Sequence, residues 1–496
     1  MSTFFPIIFV HGWGGPADIV RDFGAGDERD PYVGWNTGRR YNDPDGWVKF
    51  RNTELNFEGL VLRLVKDFGY YDASNDEELA DFKTYLGMKP PAPGETSPPG
   101  VREVALNKSL WIFRYYEYNA EHLQLSKDVK RLLADELTRC NYPVKVEDLA
   151  GIPYYAALLA LKIQQIACPK CHRLSDGKET PGLDLKKVAL VGHSMGGLIS
   201  RFAIQYNLFG AADNVARLMT MATPHGGARY ASAASLFRFL PGLRDDDVQF
   251  FTPEWVTKFM GGQTPRPAIV NLSQTDVFCL IGTRHNDYYP VARHLPRTDG
   301  VVDQNEAYLN EYPYAYVYNT HSGEHGIREN HDAYQSMRRF LFGDLYVRLL
   351  ITDVDMKPGK KAGDSKLFFH YFVKPRGINT HLNELSERAE NQPRPRTLSE
   401  LKQRLAERPY IIYDGFADSG ALVDRTARMS LGVSKSKQDL PHLQLEYSTF
   451  MSDERVGGRA LASGYKMIPL TEGTRTLTLE DQVMRAKLRV EVRRRD

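Results

Sequence analysis

The chain has 496 residues, of which 42% are hydrophobic and 25% are charged, and these are the proportions of a globular protein. This length exceeds what one hydrophobic core usually covers, so we expect two domains. The 64 basic and 62 acidic side chains are interspersed and give a formal net charge of +2. That balance argues against a nucleic-acid-binding protein and against a strongly acidic partner.

Signals for export, membrane insertion or a disulfide scaffold are missing from the sequence. Four cysteines are too few for such a scaffold, and no apolar run approaches the roughly 20 residues of a membrane-spanning helix. The first residues, MSTFFPIIFV, lack a basic n-region and a small-residue cleavage site. We therefore expect a cytoplasmic protein, with export by a signal-independent route or prior processing left open.

The first predicted strand covers Phe4 to Val10, an apolar run rich in aromatic and β-branched residues. A glycine loop, HGWGG, follows it directly. An amphipathic helix comes next, with apolar residues at helical spacing from Phe57 to Phe68. The run from Leu110 to Tyr115 predicts a second strand, and helical stretches follow near 126–139 and 154–166.

The segment from Cys168 to His172 matches the C-x-x-C-H pattern of covalent haem attachment, and C-x-x-C is also half of a zinc site. Haem attachment would normally require export, and no second C-x-x-C completes a zinc tetrahedron. We therefore interpret the segment as a loop with two nearby thiols, with a labile disulfide as the alternative. No cofactor and no metal are expected.

The stretch from Asp184 to Tyr206 carries the strongest signal for chemistry. An apolar run from Val188 to Val191 predicts a buried strand, the pentapeptide GHSMG follows at once, and apolar residues then continue at helical spacing. A serine at the apex of such a strand-turn-helix, a nucleophile elbow, projects its hydroxyl toward substrate. Ser194 is therefore the predicted nucleophile, and Gly192 and Gly196 supply room where the chain passes too close for bulky side chains.

Strands and helices continue to alternate after the elbow. We predict strands at Arg217 to Ala222, Val277 to Thr283 and Tyr314 to Asn319, and a final helix from about Asp332 to Phe342. This alternation predicts an α/β fold with a mostly parallel sheet covered on both faces. The apolar segment at about 228–265 is predicted to form a cap, or lid, over the active site.

A serine hydroxyl needs an imidazole to take its proton and a carboxylate to orient that imidazole. Asp299, in a DGVV sequence between the last two parallel strands, is the preferred acid, with Asp287 and Asp303 as rivals. His325 is the preferred base because it lies in the loop after the last strand, where a side chain can swing over the serine. His321 is its rival. His193 is interpreted as packing under the elbow.

Beyond residue 343 the pattern changes to half-buried strands. Leu345, Val347, Leu349 and Ile351 alternate with polar residues, and similar alternation recurs near 443–447, 477–479 and 488–492. One helix interrupts them at 397–408, where Thr397 and Glu400 are spaced as a capping box. We predict a catalytic domain at 1–343 and a C-terminal all-β, sandwich-like domain at 344–496.

Together, the segments FVHGWGG, VGHSMGG, MATPHGG, DGVV and HGI resemble the lipase branch of the α/β-hydrolase superfamily, most closely bacterial true lipases and the GPI-inositol-deacylase-like group. The resemblance covers about residues 4 to 343 and implies hydrolysis of carboxylic esters, with acyl lipids as the expected substrates. It also implies an oxyanion hole made by the backbone N–H groups of Trp13 and Met195.

The predicted function is that of a serine esterase or lipase with the catalytic residues Ser194, Asp299 and His325. The expected partner is a small-molecule or lipid ester, with peripheral contact to a lipid surface and no nucleic acid, while the partner of the C-terminal domain stays open. An amidase or acyltransferase with the same residues is one alternative. The other is a binding protein with an inactive hydrolase domain.

Overall fold

The computed structural model describes residues 4–12, 57–73, 106–113, 125–173, 177–227, 249–261, 269, 271–285, 298–322, 325–356, 368–375, 380–385, 397–421, 426–434, 465–480 and 484–495. Three sheets are formed by these residues, one of eleven strands, one of four and one of two. The strands, in chain order, are β1 Ile7–Val10, β2 Tyr71–Asp72, β3 Ser109–Phe113, β4 Lys170–His172, β5 Glu179–Pro181, β6 Val188–His193, β7 Val215–Met221, β8 Val277–Gly282, β9 Tyr314–Val317, β10 Leu345–Met356, β11 Phe368–Pro375, β12 Asn383–Leu385, β13 Tyr410–Ala417, β14 Thr426–Ser434, β15 Tyr465–Pro469, β16 Gly473–Glu480 and β17 Met484–Arg494.

The central sheet has the order β16-β17-β10-β13-β9-β8-β7-β6-β1-β3-β2. Its strands from β9 to β2 pair in parallel. Every residue of β1, β6 and β8 is buried, which is why these strands are nearly continuous apolar runs in the sequence. The predicted mostly parallel sheet is confirmed.

Helices cover both faces of this sheet. They are α1 Glu58–Phe68, α2 Lys127–Arg139, α3 Gly151–Ala167, α4 Met195–Gln205, α5 Ala211–Asn214, α6 Pro253–Val256, α7 His331–Phe342 and α8 Leu398–Glu407. One apolar core joins the sheet to α1 and α7, and a second joins it to α2, α3 and α4. The sheet is therefore the middle layer of three.

The strands after residue 343 are antiparallel, as predicted, but they are divided between two sheets. β10, β13, β16 and β17 continue the central sheet, which they join where Asp414 of β13 pairs with Tyr314 of β9. β11, β12, β14 and β15 form a separate antiparallel sheet. The capping box of α8 is present at Thr397 and Glu400.

Residue 343 therefore marks a change from parallel to antiparallel pairing inside one sheet. Leu345, Val347 and Leu349 share their apolar core with Met337 and Phe340 of α7. Alternation along a strand indicates that one face is buried, but it does not say which element buries that face. The division into two domains at this residue stays a prediction.

The structure bears on three other expectations. Of the predicted cap, residues 228–248 and 262–265 lie outside the described residues, whereas Phe250, Trp255 and Met260 are buried in the core. Cys168 and Cys171 are free, with Cys171 on the β4–β5 hairpin. Within the part of the chain that the structure describes, no helix is long and apolar enough to cross a membrane.

Candidate active site

Ser194 lies at a strained turn between β6 and α4. Its backbone angles are φ 52° and ψ −123°, which a non-glycine residue rarely adopts. The Ser194 N–H donates to the carbonyl oxygen of Met221 on the neighbouring strand, which helps to hold the turn. The strand, turn and helix predicted from the sequence are present.

The glycines of this turn are required by close backbone contacts. A Cβ at Gly196 would lie 2.1 Å from the carbonyl oxygen of Val10, and one at Gly192 would lie 2.7 Å from the Cα of Gly197. A Cβ at Gly12 would lie 2.8 Å from that of Ser194. Because β1 and β6 are adjacent and parallel, the predicted glycine loop after β1 begins directly beside the serine.

Three buried side chains form one hydrogen-bonded chain at this edge of the sheet. The Nε2 atom of His321 is 3.1 Å from Oγ of Ser194. On its other side, Nδ1 of His321 is 2.8 Å from Oδ2 of Asp299. Ser194 is 5% exposed, His321 6% and Asp299 1%. Water therefore does little to weaken the electrostatic interactions among these three side chains. A neutral imidazole with Nδ1 protonated can accept a proton from the serine.

Asp299 is fixed by the main chain around it. Its Oδ1 atom accepts hydrogen bonds from the N–H groups of Val301 and Val302, at 3.0 and 2.8 Å. These two bonds leave Oδ2 for His321. The rival Asp303 instead accepts from the backbone and side chain of Asn305. Asp287 lies outside the described residues.

The structure corrects the preference for His325 as the partner of the serine, because His321 occupies that place. Backbone hydrogen bonds explain why: the N–H of His321 donates to the carbonyl of Asp299, while the carbonyl of His325 accepts from the N–H of Thr320. Thr320 is therefore held beside residues 325 to 327, to which it is joined by a parallel bridge. His321, one residue beyond the bound Thr320, is directed to the edge of the sheet where Ser194 lies.

Of the two predicted oxyanion donors, only Met195 is among the described residues. It is the first residue of α4, a position whose N–H has no partner inside the helix and where the helix dipole favours negative charge. Trp13 lies outside the described residues, although the adjacent Gly12 is in place beside Ser194. The role of Trp13 as an oxyanion donor stays a prediction.

His193 is buried, as the sequence analysis expects, but it also makes a specific contact. Its Nε2 atom is 2.9 Å from the carbonyl oxygen of His321. Desolvation by burial, together with the nearby His321 and Arg328, holds the pKa of His193 well below its ordinary value. The ring is therefore neutral at physiological pH, and Nε2 carries the proton donated to the carbonyl.

Arg201 on α4 is a second residue whose role the sequence analysis missed. It is fully buried, and its guanidinium donates to the carbonyl oxygens of His225 and Met260. These bonds tie the helix behind Ser194 to the loop after β7 and to the described end of the predicted cap. A signal was present in the sequence, because Arg201 interrupts an otherwise apolar helix face.

Comparison with known proteins finds one family model and several solved structures that are similar to parts of this chain. The family model of a PGAP1-like alpha/beta domain matches residues 161–250, which include Ser194. No curated protein matches the chain. Among solved structures, the lipase BlEst2 of Bacillus licheniformis in its mature form is 20% identical, covers 39% of this chain and 78% of its own, and has a TM-score of 0.28.

Two further solved structures resemble larger parts of the chain. Phospholipase PlaB from Legionella pneumophila, in complex with thio-NAD, is 11% identical over 88% of this chain and 86% of its own, with a TM-score of 0.34. The product of the gene lin2722 from Listeria innocua is 12% identical over 68% and 94%, with a TM-score of 0.26. Over residues 161–250 the chain is similar to the PGAP1-like alpha/beta domain family, and the mostly parallel, helix-covered sheet is the architecture that the structure itself shows.

Proposed function

We propose that this protein is a serine esterase that hydrolyses carboxylic esters through an acyl-enzyme intermediate. In this mechanism His321 takes the proton of the Ser194 hydroxyl as the oxygen attacks the ester carbonyl. The imidazolium that forms is stabilised by Asp299, and it then protonates the departing alcohol. A water molecule, deprotonated by the same imidazole, releases the acid from Ser194.

One observation carries the proposal: the unbroken hydrogen-bonded chain from Ser194 through His321 to Asp299, with heavy-atom distances of 3.1 and 2.8 Å. Nucleophile, base and orienting carboxylate are within hydrogen-bond reach of one another. The chain order of serine, aspartate and histidine is also that of α/β hydrolases.

Charge stabilisation supports the same reaction. The tetrahedral intermediate places a negative charge on the former carbonyl oxygen, and the N–H of Met195 at the start of α4 is suited to meet it. Removing one such donor typically costs about 3 kcal/mol of transition-state stabilisation. Trp13 is proposed as the second donor on the sequence motif alone.

Acyl lipids are the proposed substrates, because the sequence motifs resemble those of lipases. An amidase or acyltransferase would use the same three side chains, so the leaving group and the acyl acceptor must be tested directly. A binding protein with an inactive hydrolase domain is the remaining alternative. The strained Ser194 backbone weighs against it, because such strain is typical of sites where chemistry occurs.

Labelling with a fluorophosphonate probe tests the nucleophile. We expect the wild type to label and Ser194→Ala to lose the label completely. Ser200→Ala is the matched control, because Ser200 is a buried serine on α4 whose hydroxyl donates to the carbonyl of Gly196, and this variant should label like the wild type. A folded wild type that does not label would favour the binding protein.

A substrate panel tests the reaction class. p-Nitrophenyl esters of increasing chain length, a phospholipid, a triglyceride and a p-nitroanilide should be compared in the presence and absence of an alcohol acceptor. We expect ester cleavage to exceed anilide cleavage and water to be the main acceptor. Faster anilide cleavage would indicate an amidase, and acyl transfer to the alcohol as the main reaction would indicate an acyltransferase.

A further inference from the structure

His193, the residue before the predicted nucleophile, contacts the main chain of His321, the base of the proposed mechanism. Its ring is 2% exposed, and Nε2 lies 2.9 Å from the carbonyl oxygen of His321. The two imidazole rings are close neighbours, with centroids 4.8 Å apart. A carbonyl oxygen can only accept a hydrogen bond, so Nε2 of His193 is the donor.

This contact completes the fixation of His321. The N–H of His321 donates to the carbonyl of Asp299 at 2.8 Å, and the carbonyl of His321 accepts from His193. Both polar groups of the His321 backbone are therefore bound, in addition to both nitrogens of its ring. Because His193 is joined by a peptide bond to Ser194, it links the loop of the base directly to the turn of the nucleophile.

Space filling alone does not account for a histidine here. Phe57 and His321 both pack near the ring, and an apolar ring would satisfy such surroundings without burying polar atoms. The Nδ1 atom of His193 is buried and has no hydrogen-bond partner within the described residues. A buried nitrogen without a partner costs free energy, and the one polar contact that the ring makes among these residues is the bond to His321.

We propose that His193 is a positioning residue that holds the main chain of His321 so that its imidazole stays within hydrogen-bond reach of Ser194. The inference rests on the proposed esterase function. His193 does not exchange a proton with substrate in this account, because its Nε2–H is directed at a carbonyl. Its effect is on the geometry of the step in which the serine loses its proton, so it should alter kcat more than KM.

Three substitutions at this position separate positioning from packing. The Nε2 amide nitrogen of Gln is the same number of bonds from Cβ as Nε2 of His, so His193→Gln should keep the donor and retain kcat within about threefold of wild type. His193→Asn carries its donor one bond short, and His193→Phe has a ring without a donor. Both should lower kcat about 10- to 100-fold with KM changed less than threefold.

The kinetic outcomes decide the proposal in either direction. It is overturned if the Phe variant keeps the kcat of the wild type, or if the Gln variant loses as much as the Phe variant while remaining folded by circular dichroism. The positioning role is supported if His193→Gln retains kcat while the Asn and Phe variants lose it. An effect of packing would not depend on the position of a hydrogen-bond donor.

A second measurement does not require turnover. In ¹⁵N-histidine NMR spectra of the full chain, His193 should show a protonated Nε2 and an unprotonated Nδ1. The ring signals of His321 should move in His193→Phe and stay near their wild-type positions in His193→Gln. Unmoved His321 signals in the Phe variant would overturn the positioning role. A wild type that fails to react with fluorophosphonate would refute the esterase, and this measurement would still decide the role of His193.

Discussion

The parallel and antiparallel halves of the central sheet use polar residues in opposite ways. In the parallel half, β1, β6 and β8 are buried throughout, and residues of the proposed active site lie beyond strand ends, as Ser194 does after β6 and His321 after β9. In the antiparallel half, charged residues lie along the strands. Arg348 pairs across the ladder with Glu491, and Asp353 with Lys487. The first half holds the polar residues of the proposed active site at one edge of the sheet, and the second has pairs of opposite charge along its strands.

Two buried aspartates, one in each half of the sheet, differ in the groups that bind them. Asp299, in the loop before β9, accepts from two backbone N–H groups and from the His321 ring. Asp414, inside β13, accepts from the Tyr346 hydroxyl at 2.5 Å and lies 3.4 Å from Nε of Arg348. We expect substitutions in the first half to alter catalysis, and those in the second to alter only stability.

The largest effect is expected at the base. His321→Ala removes the group that deprotonates the serine, so kcat should fall by about 10⁵-fold or more, with the free energy of unfolding less affected. His325→Ala is the matched control, because the carbonyl that holds the turn belongs to its backbone and is retained. The control should stay within about threefold of wild type in an ester assay. The reverse order of the two variants would restore His325 as the base.

The second-largest loss of kcat is expected for Asp299→Asn. An amide in place of the carboxylate no longer stabilises the imidazolium and can hold His321 in the wrong tautomer, so kcat should fall about 10⁴-fold while the fold persists. Asp303→Asn provides the control, since Asp303 accepts hydrogen bonds from Asn305, whereas the carboxylate bound to His321 is that of Asp299. An equal loss in both variants would mean that the loop as a whole, rather than the carboxylate of Asp299, supports the reaction.

The elbow could be predicted from the sequence because its pattern is local. Gly192, Ser194 and Gly196 follow an apolar strand within a few residues. The contact that requires Gly192 is made with Gly197 of the same turn, whereas Gly196 is required by Val10 of the adjacent strand β1. The order of catalytic residues along the chain limited the candidates for the acid to one loop, which contains Asp299. The choice between His321 and His325 could not be made, because it depends on backbone hydrogen bonds that hold His321 beside Asp299 and Thr320 beside residues 325 to 327.

The C-terminal strands illustrate a second limit of the sequence. Alternation of Leu345, Val347, Leu349 and Ile351 correctly predicts strand β10 with a buried face. The core that covers that face includes side chains distant in sequence, such as Val373 and Phe416. Strand pairing is likewise a non-local property, so a pattern within one strand cannot indicate that β13 will join β9.

Arg495, at the C-terminal end of the antiparallel half, allows a test of the free energy of unfolding that does not involve the proposed active site. The Arg495 side chain is 3% exposed, lies over the rings of Phe340 and Phe416, and donates to the carbonyl oxygen of Thr275. Arg495→Ala should lower the free energy of unfolding in urea by about 2 to 4 kcal/mol, because it removes a buried group that joins both halves of the sheet.

The neighbouring Arg494 supplies the control for that measurement. Its side chain is 66% exposed and pairs with Glu472, so Arg494→Ala should change the free energy of unfolding by less than about 0.5 kcal/mol. Both variants should keep the kcat of the wild type for esters. A fall in kcat in the folded Arg495 variant would contradict the separation between the two halves.

The smallest effect is expected at Asp414, and its sign depends on pH. Burial raises the pKa of this carboxyl, although Tyr346 and Arg348 favour its charged form. An acid whose pKa is higher in the folded state than in the unfolded state releases its proton first from the unfolded chain. Stability from this group is therefore lost as pH rises from about 4 through the folded pKa.

A neutral amide at this position should avoid that loss. In Asp414→Asn, the amide oxygen can still accept from Tyr346, and Arg348 keeps Glu491 at 3.2 Å, so the free energy of unfolding at pH 7 should change by less than about 1 kcal/mol. The stability of the variant relative to wild type should increase between pH 4.5 and 7.5. A decrease over that range would mean that attraction to Arg348 outweighs burial. Asp414 would then be a paired charge whose folded-state pKa is lowered.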